Sequence, residues 1–86
     1  MNKEITFEQK KALVTISRRC MEEYEKVRAS GAANMFNYSE VNMVAGICGF
    51  DELVSLSYEQ YEILLMNFQF LMRYYDVKQT IKQRVK

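Results

Sequence analysis

Apolar residues recur at spacings of three and four along the first third of the chain, which is the period of a helix with one buried face. The repeating positions are Leu13, Ile16, Cys20, Tyr24 and Val27. Lysines, arginines and glutamates occupy the opposite face. The pattern predicts a helix over residues 7–29. It begins at a capping box formed by Thr6 and Gln9 and ends at Gly31.

A short middle helix is predicted over residues 38–48. Asn37 supplies a side-chain oxygen at its start, where the first backbone N–H groups have no partner within the helix. Gly49 ends it, because glycine readily adopts the left-handed conformation that closes many helices. Residues 51–55 are predicted to form one further helical turn.

The last predicted helix is the longest one. Ser57 and Gln60 form a second capping box, and the helical period then continues without interruption over residues 58–83. A helix of this length extends about 39 Å, at 1.5 Å per residue. The sequence therefore predicts an all-α fold with a three-helix arrangement, two long helices and a short middle one, in a single helical domain spanning residues 1–86.

This last helix is apolar on two faces. One face carries Tyr61, Leu64, Leu65, Phe68, Leu71, Met72 and Tyr75. The other carries Ile63, Met66, Phe70, Tyr74, Val77 and Ile81, at the spacings of a coiled-coil seam. The first helix covers one face, and we expect a second copy of the chain to cover the other, as a homodimer interface. A monomeric bundle and a different protein partner are the two alternatives.

The composition restricts the chemistry of the protein. The 86 residues include no histidine and no proline, three glycines, and two cysteines that lack CxxC spacing. The sequence therefore disfavours turn-rich β folds, zinc ribbons and histidine-dependent catalysis. Cys20 and Cys48 are expected to be buried structural thiols, and Glu22, Glu23 and Glu25 to lie mostly in solvent. We expect a protein that is not an enzyme and has no metal or cofactor.

Two features of the sequence bear on the cellular location of the protein. No run of 18 apolar residues is present, so no membrane span is expected. The first residues also lack the apolar core of a secretion signal. The expected location is the cytoplasm.

The charges are segregated along the chain, although the formal net charge is only +1. Residues 29–72 contain no lysine or arginine and five acids, which are Glu40, Asp51, Glu52, Glu59 and Glu62. The C-terminal end carries the basic residues Lys78, Lys82, Arg84 and Lys86. The acidic segment favours a basic surface on a partner. The basic end gives an alternative function, a small dimeric regulator that binds nucleic acid.

Residues 24–54 resemble an uncharacterised family of short phage and prophage proteins. The shared positions are Ser30-Gly31, Asn34-Met35-Phe36, Val41, Val44-Ala45, Gly49-Phe50 and Glu52-Leu53-Val54. The resemblance implies a phage or mobile-element origin, and transfers no activity. Small accessory proteins of this origin often bind a host protein. We therefore expect a non-enzymatic inhibitor that acts in the host cytoplasm. Inhibition of a CRISPR effector is the specific role that we expect.

Overall fold

The computed structural model describes residues 4–79, and its regular elements are all helices. They are α1 (Phe7–Thr15), α2 (Arg18–Ser30), α3 (Tyr38–Cys48), α4 (Asp51–Val54), α5 (Tyr58–Met66) and α6 (Phe68–Tyr74). The all-α class is confirmed, and α3 has the predicted bounds. The three-helix arrangement is wrong, because both predicted long helices are interrupted. Among residues 4–79, no helix is both long enough and apolar enough to cross a membrane.

The predicted helix over residues 7–29 is broken between α1 and α2. Ile16 (φ −114°, ψ 119°) and Ser17 (φ −83°, ψ 166°) are extended. The Ser17 hydroxyl accepts a hydrogen bond from the Cys20 N–H (3.0 Å) and donates one to Glu52 Oε1 (2.6 Å). The Tyr75 hydroxyl donates to the Ile16 carbonyl (2.8 Å). A local cap and two contacts from distant residues therefore hold the bend.

The predicted helix over residues 58–83 is interrupted at Asn67, which separates α5 from α6. The Asn67 side-chain amide donates to the Ile63 carbonyl (2.9 Å), which in a continuous helix would accept the Asn67 backbone N–H. That N–H donates instead to the Leu64 carbonyl (3.1 Å). Asparagine thus competes with the helical backbone pattern, as short polar side chains commonly do.

The same predicted helix ends at Tyr74 rather than at residue 83. Asp76 adopts a left-handed conformation (φ 56°), which aspartate tolerates better than most residues. The Val77 N–H then donates to the Met72 carbonyl (2.8 Å), closing the helix end as in a Schellman motif. Val77 packs against the core, so an apolar contact favours this ending. Residues 80–83 of the predicted helix lie outside the described residues.

Helix α2 lies at the centre of the molecule. It packs against α3 and α4 on one side and against α6 on another, while α1 packs against α5 and α6. The core is formed by these buried side chains: Ala12, Ile16, Cys20, Met21, Tyr24, Val27, Val41, Ala45, Leu53, Leu56, Tyr61, Leu64, Leu71 and Met72. The apolar face predicted for the first third of the chain is therefore confirmed as core, although two helices share it.

Two glutamates of α2 are buried, and the expectation that they face solvent is wrong. Glu23 is 4 % exposed and accepts hydrogen bonds from the Leu53 N–H (2.8 Å) and from Arg19 Nε (3.2 Å). Phe50, at the N-cap of α4, has no side-chain oxygen, so Glu23 serves as the cap from a different helix. Glu25 is equally buried and binds Arg28 through both carboxylate oxygens (2.8 and 2.7 Å).

We expect Glu23→Ala to lower the free energy of unfolding by about 2–3 kcal/mol, because the buried Leu53 N–H loses its charged acceptor. The matched control is Glu22→Ala, one residue away on the same helix. Glu22 forms an ion pair with Arg18 that is about half exposed, so its loss should cost about 0.5 kcal/mol or less. Urea unfolding at neutral pH measures both values. Equal effects of the two substitutions would contradict the capping role.

Candidate interaction surface

The loop before α3 is held in a defined shape by short polar contacts. Asn34 Oδ1 accepts a hydrogen bond from the Phe36 N–H (3.0 Å), and the Asn34 N–H donates to Glu40 Oε1 (2.9 Å). Asn37 caps α3 by accepting from the Glu40 N–H (3.1 Å). Phe36 is left 85 % exposed on this ordered loop. An exposed phenylalanine on a fixed backbone is a candidate contact residue.

Tyrosines join this loop and α3 to the start of α5. The Tyr61 hydroxyl donates to the Met35 carbonyl (2.7 Å), and the Tyr38 hydroxyl donates to the Leu56 carbonyl (2.7 Å). The Tyr38 ring also meets the Tyr58 ring edge-on, with 5.7 Å between ring centroids. Burial raises the pKa of Tyr61 well above its ordinary value, so its hydroxyl stays a donor at physiological pH. The loop, α3 and α5 therefore meet at one corner of the molecule.

This corner presents two aromatic rings and three acids to solvent. Tyr58 is 57 % exposed, and the hydrogen bond between its hydroxyl and the Glu62 carboxylate raises the pKa of Tyr58. Glu40, Glu59 and Glu62 are exposed as well. We call Phe36, Glu40, Tyr58, Glu59 and Glu62 the acidic corner. Carboxylates beside aromatic faces are suited to binding arginine and lysine side chains.

The other two predicted acidic residues lie elsewhere. Asp51 and Glu52 begin α4, beyond the C-terminal end of α3, whereas Glu40 lies in the first turn of that helix. Glu52 is half-buried and accepts the hydrogen bond from Ser17. Glu40, Glu59 and Glu62 therefore lie on elements that Tyr38 and Tyr61 join, whereas Glu52 is used within the fold.

The residues of the predicted dimer interface occupy different environments. Ile63, Phe70 and Val77 are half-buried against the core, Met66 and Tyr74 are 79 % and 53 % exposed, and Ile81 lies outside the described residues. The Phe70 and Tyr74 rings stack with centroids 5.7 Å apart. Ile63 and Met66 lie on α5, Phe70 and Tyr74 lie on α6, and Val77 follows α6. The chain thus covers part of this face with its own residues.

The predicted basic end is described only in part. Lys78 is exposed, as is Arg73 in the last turn of α6. Lys82, Arg84 and Lys86 lie outside the described residues.

The two cysteines differ in environment. Cys20 is buried, and burial, with a further contribution from the Glu23 and Glu52 carboxylates, raises the pKa of its thiol to about 12. Cys48 is exposed at the end of α3, so the expectation that both thiols are buried is wrong for Cys48. Within residues 4–79, no group of three or more cysteine and acidic side chains is arranged to hold a metal ion.

Sequence reasoning missed the two aromatic residues of the acidic corner as contact residues. Phe36 directly precedes the N-cap Asn37, and Tyr58 directly follows the N-cap Ser57. The start of a helix has no preceding turn to cover its side chains. A position next to an N-cap was therefore the one feature of the sequence that could have indicated their exposure. This feature is a weak guide, because Leu56, directly before the N-cap Ser57, is buried.

A family described as a domain of unknown function (DUF5049) matches residues 18–63, more than half of the chain. The chain belongs to this family. No curated protein and no solved structure matches the chain. Membership in DUF5049 agrees with the expected resemblance to an uncharacterised family, whereas the phage origin stays a prediction. The DUF5049 segment begins at α2 and ends within α5, so it includes the whole acidic corner and excludes α1 and α6.

We predict that the two thiols react at very different rates in the folded protein. At pH 8, a pKa of about 12 leaves Cys20 with about a thousandth of the thiolate of an ordinary cysteine, and burial blocks access further. Cys48 should react with Ellman's reagent at the rate of a free thiol. A Cys48→Ser variant should then show only slow labelling that becomes fast in denaturant. Fast labelling of that variant without denaturant would contradict the buried position of Cys20.

Proposed function

We propose that this DUF5049 protein is a non-enzymatic binding protein that docks on a basic surface of a partner protein through the acidic corner. The observation that carries the proposal is the exposure of Phe36 (85 %) and Tyr58 (57 %) on elements that also carry three exposed carboxylates. These residues belong to the segment 29–72, which contains no lysine or arginine. The corner also lies entirely inside the family segment.

The physical basis is a preorganised anionic surface. Hydrogen bonds from Tyr38 and Tyr61 to backbone carbonyls fix the loop, α3 and α5 relative to each other. Little conformational freedom of the backbone is then lost on binding, so more of the contact energy contributes to affinity. Aromatic residues at the centre of an interface commonly supply much of that energy, and the surrounding charges supply the choice of partner.

The proposed partner is a host protein. The resemblance to phage and prophage proteins supports an accessory protein of a phage or mobile element, which would act in the host cytoplasm. A groove that binds nucleic acid in a host defence enzyme, such as a CRISPR effector, presents the basic surface that the acidic corner fits. Occupation of such a groove would make the protein an inhibitor that imitates nucleic acid. This step rests on analogy with other phage proteins.

A homodimer is the second part of the proposal. Met66 and Tyr74 leave large apolar side chains in solvent on the face formed by α5 and α6. Contiguous apolar surface of this kind commonly marks an interaction site. We propose that this face takes part in pairing two copies of the chain.

The double substitution Glu59→Lys/Glu62→Lys tests partner binding. We expect it to lower the affinity for the host protein at least about tenfold, because two attractive charges become repulsive. The partner is identified as a protein that the wild type retains from host lysate, and affinity is then measured by calorimetry on the purified pair. Nucleic acid that binds the partner's groove should displace the protein from the complex.

The matched control is Glu4→Lys/Glu8→Lys, which makes the same change of charge on exposed residues near α1. It should bind like the wild type. Circular dichroism shows that each variant is folded. Unchanged affinity of a folded Glu59→Lys/Glu62→Lys variant would remove the proposal. Salt-sensitive binding of duplex DNA or RNA by the protein alone would favour the alternative, a nucleic-acid regulator that uses its basic C-terminal end.

A further inference from the structure

The bend between α1 and α2 interrupts a sequence that has the features of one helix. The apolar period passes from Leu13 through Ile16 to Cys20 without a shift, and residues 7–30 contain neither glycine nor proline. The residues at the bend are Thr15, Ile16 and Ser17, which lower helix propensity only modestly. Nothing in this local sequence prevents a continuous helix.

Contacts from distant parts of the chain hold the bend instead. Glu52 accepts a hydrogen bond from the Ser17 hydroxyl, and the Tyr75 hydroxyl donates one to the Ile16 carbonyl. Arg18 Nη1 also donates to the Tyr75 carbonyl (2.7 Å). The bond from the Cys20 N–H to Ser17 Oγ is a local cap that stabilises the bend as well. The bent form therefore depends in part on contacts with α4 and with the end of α6.

Helix α1 fills a surface built by α5 and α6. Ala12 and Ile16 are fully buried there. Gln9 lines one shallow groove together with Phe70 and Tyr74, and a second groove together with Met66 and Phe70. Met66, Phe70 and Tyr74 belong to the predicted dimer interface. A two-residue connection, Ile16 and Ser17, is all that joins this helix to α2.

We infer that the α5–α6 surface binds α1 of a second copy of the chain. In the resulting dimer, residues 7–30 form one continuous helix in each copy, and each α1 packs on the other copy's α5 and α6. The exchange reproduces the contacts between α1 and these helices, so the surface is complementary to its new occupant. Straightening also restores backbone hydrogen bonds that the bend removes. This inference rests on the proposed homodimer and is independent of partner binding through the acidic corner.

Arg18 offers a matched pair of substitutions. It is the first residue of α2, where the N–H has no partner within the helix and proline is well tolerated. Ser17, with ψ 166°, already has the extended conformation that a following proline requires. In a continuous helix over residues 7–30, Arg18→Pro would instead remove an internal hydrogen bond and clash with the Val14 carbonyl. Arg18→Ala removes the same side-chain bonds and is compatible with both forms.

The measurement is the dimer association constant, by light scattering and sedimentation after refolding at a series of concentrations. We expect Arg18→Pro to lower it at least about a hundredfold relative to Arg18→Ala, because a single proline inside a helix has an effect of that size and each of the two continuous helices would contain one. Equal association of the two variants would overturn exchange of α1 and leave the homodimer standing. Monomers for both variants and the wild type at millimolar concentration would overturn the homodimer as well.

A cross-linking measurement on an otherwise native chain does not depend on the folding of either variant. A photoreactive p-benzoylphenylalanine replaces Gln9, and isotope-labelled and unlabelled chains are refolded together. In the isolated dimer, we expect links from position 9 to residues 68–74 that join one labelled and one unlabelled chain. Links confined to chains of one isotope would show that each α1 stays on its own copy, and would overturn the inference.

Discussion

The rest of the structure depends on the bend at Ile16 and Ser17, which separates α1 from α2. If the first helix continued straight, its apolar face could meet only one neighbour. The bend divides that face between α1, which covers α5 and α6, and α2, which reaches α3, α4 and α6. The contacts that hold the bend come from Glu52 in α4 and Tyr75 after α6. The bend and the packing of the other helices therefore stabilise each other.

Buried polar groups make this arrangement specific. Glu23 caps α4 across the helix interface, and a carboxylate that is 4 % exposed requires such partners to offset its loss of hydration. The reciprocal bond from Ser17 to Glu52 fixes the same pair of helices at a second point. This second bond uses Glu52, one of the five acids of residues 29–72, within the fold. Three of the remaining four acids, Glu40, Glu59 and Glu62, lie on the elements that Tyr38 and Tyr61 join.

The family segment contains one of the two proposed surfaces completely and the other only in part. Residues 18–63 form α2 to most of α5 and include the acidic corner, which we propose as the surface for a host protein. Helices α1 and α6 lie outside that segment, and the face that we assign to pairing of two copies is formed by α6 together with the C-terminal part of α5. The two surfaces use different residues, so binding of a partner and pairing of copies are physically separable.

The sequence by itself determined the helical class, the caps and the ends of the middle helix. The capping residues Thr6, Asn37, Gly49 and Ser57 act on backbone groups within a few residues. The helix ends that they set can therefore be predicted without knowledge of tertiary contacts. Only the tertiary structure decided where the long helices break, and which glutamates are buried. A period of three and four is the same for one straight helix and for two bent segments. Whether the helix continues or bends depends on hydrogen bonds with Glu52 and Tyr75, which lie 35 and 59 positions away along the chain. A pattern of neighbouring residues contains no information about such distant partners.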